Sequence, residues 1–397
     1  MTQIQIEEPA RPANSGFVPF ALGFRPFFLG AGILAVLYMV LWLGVYLDAW
    51  PLAQHYQDAL SWHRHEMVFG YGLAVVAGFL LTAVRNWTNL PTPAGTPLAL
   101  LFLLWLMGRV LAVLPVPGWV LAIVDGLFPL ILALVLFIPI AKARQHHNQI
   151  FPVILVVITV ADVLMHLQYL GITHSSAESG LQLALLSILW IMAIMGGRVI
   201  PFFIERAIPG FKRRSWSLVE KSAGPSIVAL MAAVLLQSST ATIVTAVLAA
   251  VIHGVRVFGW HDRKLWSVPL LWVLWLGYAW IVIGFALHAV SAAGLAPPAL
   301  ALHAYGVGGM GVLTLGMMAR VALGHTGRNM QLTTPWMVGS FALLALAALV
   351  RVFGPMLPFS PQAVIGLSGV LWVLAFVIFV WVYTPILMRP RIDGRPG

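Results

Sequence analysis

Residues 119–138 read WVLAIVDGLFPLILALVLFI, twenty residues with a single charge, Asp125. As an α-helix rising about 1.5 Å per residue, this stretch covers about 30 Å, the hydrocarbon thickness of a bilayer. A solid apolar run of this kind is not a strand of a membrane β-barrel, whose residues alternate between lipid and lumen. The pattern recurs along the chain and gives spans at 27–46, 66–84, 97–114, 119–138, 151–170, 181–200, 218–237, 240–257, 269–288, 298–318, 335–350 and 363–383. Pro97, Pro269, Pro298 and Pro335 fall in first turns, where a missing N–H is harmless. The 397 residues are 61% hydrophobic and 9% charged, with mean hydropathy +0.95; soluble domains carry roughly a quarter charged residues. The expected fold is therefore all-α and polytopic. One twelve-helix transmembrane domain occupies 27–388, with tails at 1–26 and 389–397. The gaps between spans are too short for a soluble catalytic domain, so any chemistry sits among the helices.

The absence of cysteine removes disulfides, thiolate metal sites, iron–sulfur clusters and c-type haem attachment, and leaves nitrogen and oxygen ligands. A pI near 10.4 would suggest nucleic acid in a soluble protein, but in a membrane protein it is read first as topology. Nineteen of the twenty-two Lys and Arg residues lie in the N-terminal segment or in loops after even-numbered spans. The positive-inside rule then puts both termini in the cytoplasm, and only Arg64, Arg109 and Arg351 fall toward the other side. The first twenty residues carry Glu7 and Glu8 and lack the basic start and apolar run of a cleaved signal peptide. Spans two, six and ten each descend through glycines to Arg85, Arg198 and Arg320, which suggests three four-helix arcs; interfacial anchoring of inward helices gives the same pattern.

Of twelve histidines, five lie at one depth. His63 and His65 open span two, His166 lies near the outer end of span five, His288 closes span nine, and His303 lies in the first turns of span ten. All fall within about 7 Å of the outer boundary. Ionisable groups inside a bilayer persist where they pair or work. Neutral imidazole suits haem iron and copper, and histidines from several helices can close around one metal. Each taken alone is equally an interfacial histidine bonded to a carbonyl or water. His146, His147 and His174 lie in loops, and His253, His261 and His325 lie toward the inner face.

The segment WHRHEMVFG (62–70) concentrates the signal. In a regular helix His63 and Glu66 share a face while His65 points elsewhere. Two sites therefore meet at this helix, or an irregular first turn brings both imidazoles to one centre. Asp162 lies four residues before His166, the spacing by which a carboxylate takes the ring N–H and orients the other nitrogen toward a metal. Arg109 and Asp125 flank one turn at similar depth and are expected to neutralise each other, with a haem propionate as the competing partner of Arg109. The glycines of span ten permit close helix packing or leave room for a flat ligand.

With WHRHEMVFG, the segments GFRPFF (23–28), GFLLTAVRNWT (78–88), GGRVIPFF (196–203) and MARVALGHTGR (318–328) resemble the NnrS family of bacterial inner-membrane proteins of nitric oxide metabolism. That resemblance implies a twelve-helix fold, haem, copper and a part in denitrification or nitrosative-stress tolerance. Two positions depart from the family pattern: Arg64, where a small residue is usual, and Asn89, where glycine is expected. The architecture is also similar, more loosely, to the catalytic subunit of haem–copper oxidases and nitric oxide reductases, although His303 has no histidine two residues away.

The resulting expectation is a haem protein, with a b-type haem whose iron meets nitric oxide near the outer face. His65 and His303 are the expected haem ligands, with Arg109 available to a propionate. His63, His166 and His288 are the candidates for a second metal or a distal pocket, Asp162 orients His166, and Glu66 delivers protons. Reduction of two NO to N₂O would draw electrons from a quinol or a small redox protein. A nitric oxide sensor or sink, a structural haem protein, and a transporter of haem, copper or a nitrogen compound are the alternatives. No pair of broken spans in matching halves supports the transporter.

Overall fold

The computed structural model describes residues 18–47, 50, 55–330 and 333–394. Most of the N-terminal tail, with Glu7, Glu8 and Arg11, and Arg395 at the other end lie outside the described residues. No strand occurs among those described. The helices are α1 (Phe24–Tyr46), α2 (Ala59–Thr88), α3 (Thr96–Leu111), α4 (Gly118–Lys142), α5 (Ile150–Tyr169), α6 (Ser176–Ala207), α7 (Ser217–Leu235), α8 (Ser239–Phe258), α9 (Pro269–Ala292), α10 (Pro298–His325), α11 (Pro335–Phe353) and α12 (Pro361–Met388). Each expected span falls on one of them. All but α3 are long and apolar enough to cross a bilayer. α3 stops at Leu111 because Pro115 and Pro117 exclude the helical conformation just beyond it.

Burial separates an inner set from an outer one. The apolar stretches of α2 and α10 are 83% buried and that of α6 is 72%, against at most 56% for the other long helices. These three are the second helix of each successive group of four, and each packs against the other two. Around them the outer helices follow chain order, and α12 returns to α1. Three four-helix arcs, each contributing its second member to the centre, describe this arrangement. Small residues allow the close approach. A Cβ at Gly316 would lie 2.5 Å from Val273, and one at Gly277 would lie 2.5 Å from the backbone of Leu313.

The arginines at the charged end clamp helix to helix. Arg198 of α6 lies over the Trp87 ring of α2 and donates to Asn148, and Arg320 of α10 lies over Phe203 of α6 at 3.8 Å. Arg25 donates to the carbonyls of Leu387 and Arg389 at 2.8 Å, serving groups that the end of α12 leaves free. Asn89, at the glycine-like position, ends α2 with φ 53°, a left-handed conformation that asparagine tolerates best after glycine.

At the opposite end two helices widen into π turns, at Glu66–Gly72 in α2 and Ala304–Val312 in α10. Such turns concentrate at functional sites because they re-aim side chains. Trp105 of α3 donates to the Gly70 carbonyl at 3.1 Å, and Tyr71 joins Thr314, which donates to the Met310 carbonyl, so the irregular segment of α2 is tied to α3 and to that of α10. α2 begins at Ala59 with an Asp58 cap accepting from Ser61, seven residues before the expected start at 66. Its polar first turns escape a hydropathy reading because their partners lie in other helices.

Candidate functional site

Two sites meet on the first turns of α2, on different sides of it. The first is a buried cluster. His65 sits with Nδ1 3.1 Å from Glu66 Oε1 and Nε2 2.9 Å from Asp162 Oδ1. Asp125 Oδ2 lies 3.6 Å from His65 Nε2 and 3.5 Å from His166 Nε2, and Asp162 Oδ1 lies 3.6 Å from the same atom of His166. Arg109 donates to Glu66 Oε2 at 2.9 Å and pairs with Asp125. Tyr56 donates to Glu66 Oε1 at 3.0 Å. Burial, and next the Glu66 charge beside it, push the Tyr56 phenol well above its ordinary pKa, so it remains a donor. Every one of these residues is buried. Glycines make the room: a Cβ at Gly108 would come within 2.8 Å of Asp125 Oδ1, and one at Gly70 within 3.0 Å of Glu66 Oε2.

The second site is a cavity of about 540 Å³ where α1, α2, α6, α10, α11 and α12 come together. Its size suits a small-molecule or cofactor site, and its wall is mostly apolar, with Trp42, Met67, Met310 and Trp372. His63 of α2 and His303 of α10 both line it. His63 stacks on Trp42 with ring centroids 4.4 Å apart, and its buried Nδ1 has no hydrogen-bond partner. His303 Nδ1 donates to the Ala299 carbonyl at 2.7 Å, which leaves Nε2 as the nitrogen with a lone pair. Arg351 reaches the cavity from α11 with no carboxylate in ion-pair range among the described residues. Arg64, the departure between the two histidines, lines the cavity and also pairs with Glu178 of α6 at 3.3 Å.

The glycines of α10 divide between two duties. A Cβ at Gly308 would overlap the Trp280 ring and one at Gly311 would lie 2.7 Å from Trp372, so these glycines serve packing. A Cβ at Gly306 would meet nothing within 4 Å, and Gly306 lines the cavity.

The histidine layer thus resolves into separate places. His65 and His166 come together, with ring centroids 5.1 Å apart. His63 and His303 share the cavity, so the expected haem pair of His65 and His303 joins residues from two different sites. His288 belongs to neither and lies 3.4 Å from the Tyr305 hydroxyl. Glu66 accompanies His65 rather than His63, because Arg109 and Tyr56 hold its carboxylate on that side and the π turn begins at this residue. The ring nitrogen nearest Asp162 is that of His65, not His166. Arg109 gives Nη1 to Glu66 and Nη2 to Asp125, and it does not line the cavity. His146, His147 and His174 are exposed, as their loop positions imply. His253 is held by Tyr278 and the Ala223 carbonyl at the charged end.

Four participants escaped the sequence reading: Tyr56, Trp42, Arg351 and Asp125 in any role beyond pairing with Arg109. Arg351 carried a signal, since the three arginines that break the charge bias are those at these two sites. Among curated proteins, none matches the chain. The NnrS protein family model matches residues 18–391, nearly the whole length, and the chain belongs to that family.

Proposed function

We propose that this membrane protein holds a b-type haem in the cavity shared by α2 and α10 and uses it to bind and reduce nitric oxide at the outer face of a bacterial inner membrane. The observation that carries the reading is the cavity itself, in a chain of a nitric-oxide-related family. It joins an apolar wall, two imidazoles with nitrogens left free, and a cation without a carboxylate. His63 and His303 are the proposed ligand-bearing residues, and Arg351 and Arg64 suit the propionates. Gly306 leaves the space that a porphyrin face needs.

When bound, the haem supplies an iron that takes up nitric oxide. Reduction follows 2 NO + 2 e⁻ + 2 H⁺ → N₂O + H₂O, with a quinol or a small redox protein as the electron donor. Glu66, in the buried cluster across α2 from His63, is the residue proposed to deliver protons. A copper centre built from the outer histidines alone finds no support, because no three of them converge among the described residues.

Purified protein tests the reading. Reduced protein should show a haem spectrum that shifts with CO, and His63→Ala and His303→Ala should each lose most of the haem absorbance. NO consumption with a reductant should follow haem content. Haem-replete protein without turnover would leave a sensor or sink, and full haem retention in both variants would refute the cavity.

A further inference from the structure

We infer that His65, Asp125, Asp162 and His166 form a second, non-haem site that binds one divalent metal ion of the Fe²⁺, Mn²⁺ or Zn²⁺ class. The inference stands apart from the haem reading, since none of the four lines the haem cavity. One donor atom from each lies within 4.8 Å of all the others. The four contacts among these atoms, at 2.9, 3.5, 3.6 and 3.6 Å, bracket the edge of about 3.4 Å that a tetrahedral site with metal–ligand bonds near 2.1 Å requires.

Two of the four donor atoms, Asp125 Oδ2 and His166 Nε2, are buried with no hydrogen-bond partner. Buried polar atoms left this way cost free energy, and a bound ion would satisfy them together. Neighbouring groups occupy the other atoms of Asp125 and His65. Arg109 holds Asp125 Oδ1, while Glu66 and Tyr56 hold His65 Nδ1, which fixes the tautomer whose Nε2 carries a lone pair. A carboxylate behind a metal-binding histidine is a recurring arrangement for orienting it.

Charge favours the same conclusion. Glu66, Asp125 and Asp162 bring three negative charges and Arg109 one positive, so with neutral imidazoles the buried cluster carries a net charge of −2. Burial of that charge is costly unless it is neutralised. A divalent ion neutralises it, and protonation of both histidines is the alternative. Two carboxylates and two imidazoles, with no sulfur, suit Fe²⁺, Mn²⁺ or Zn²⁺ rather than Cu⁺.

Metal analysis of the full-length protein in detergent, with haem iron subtracted, provides the test. Wild-type protein should carry close to one equivalent of iron, manganese or zinc. Asp162→Asn and His166→Gln should lower it by at least about tenfold while haem absorbance is retained. Chelator-stripped wild-type protein should bind one Mn²⁺ per chain, read by loss of the free-ion EPR signal, so the result does not depend on how the variants fold. No binding of Mn²⁺ to stripped protein, unchanged metal in the variants, or copper as the only extra metal would each overturn the inference. Haem is read optically and this ion by mass, so failure of either site is distinguishable from failure of the other.

Discussion

Arg109 places a guanidinium between Glu66 and Asp125 inside the bundle, where neither carboxylate reaches water. Removing one partner of such an ion pair costs about 3–5 kcal/mol, because the other charge remains buried. Arg109→Met should therefore lower the thermal midpoint in detergent sharply, and adding Glu66→Gln should recover part of the loss. A double variant as unstable as the single one would show that the charges do not interact. Gly306 offers the opposite kind of test, since its Cβ position faces open cavity. Gly306→Phe should leave folding intact and remove most haem absorbance, whereas Gly308→Phe would clash with Trp280 and destabilise the fold. Much of the chemistry was legible at this scale. An aspartate or arginine amid apolar sequence announces itself, and the Arg109–Asp125 pair follows from similar depth on either side of one turn. Which imidazole accompanies which carboxylate was not legible, because side-chain direction depends on three helices at once.

The first turns of α2 carry both sites because residues two apart on a helix face different ways. His63 points into the cavity and His65 into the acidic cluster, which is the first of the two alternatives the string left open. The periodicity was visible in the string WHRHEMVFG, but the π turn that starts at Glu66 was not, since one extra residue per turn leaves no mark on hydropathy. That extra residue sets the register between the site end and the rest of α2. Deleting Val68 should turn everything before it by about 100° relative to the remainder of the helix. Haem and non-haem metal should then both fall, measured by absorbance and by mass. Retention of both would mean that the irregular turn is incidental.

Across the whole molecule, hydropathy and charge set the architecture before any contact is known. Twelve apolar runs and nineteen cations at alternate loops gave the number of helices and the proposed sidedness. The glycine-to-arginine descent of spans two, six and ten suggested three arcs, although anchoring alone would have produced the same pattern, and it did not say that these three helices form the centre. Which outer helix lies beside which was out of reach, because every lipid-facing surface is similarly apolar. The chain has no cysteine, so single introduced thiols report topology cleanly. In intact cells His174→Cys should react with an impermeant maleimide, and Arg213→Cys only after lysis; the reverse pattern would invert the proposed topology. Two separate sites sharing one helix is the central claim, and the most direct measurement is the reduced and CO-bound absorption spectrum of His63→Ala beside that of His65→Ala. A haem in the cavity predicts that His63→Ala loses the haem bands and His65→Ala keeps them; bands kept by His63→Ala and lost from His65→Ala would contradict it.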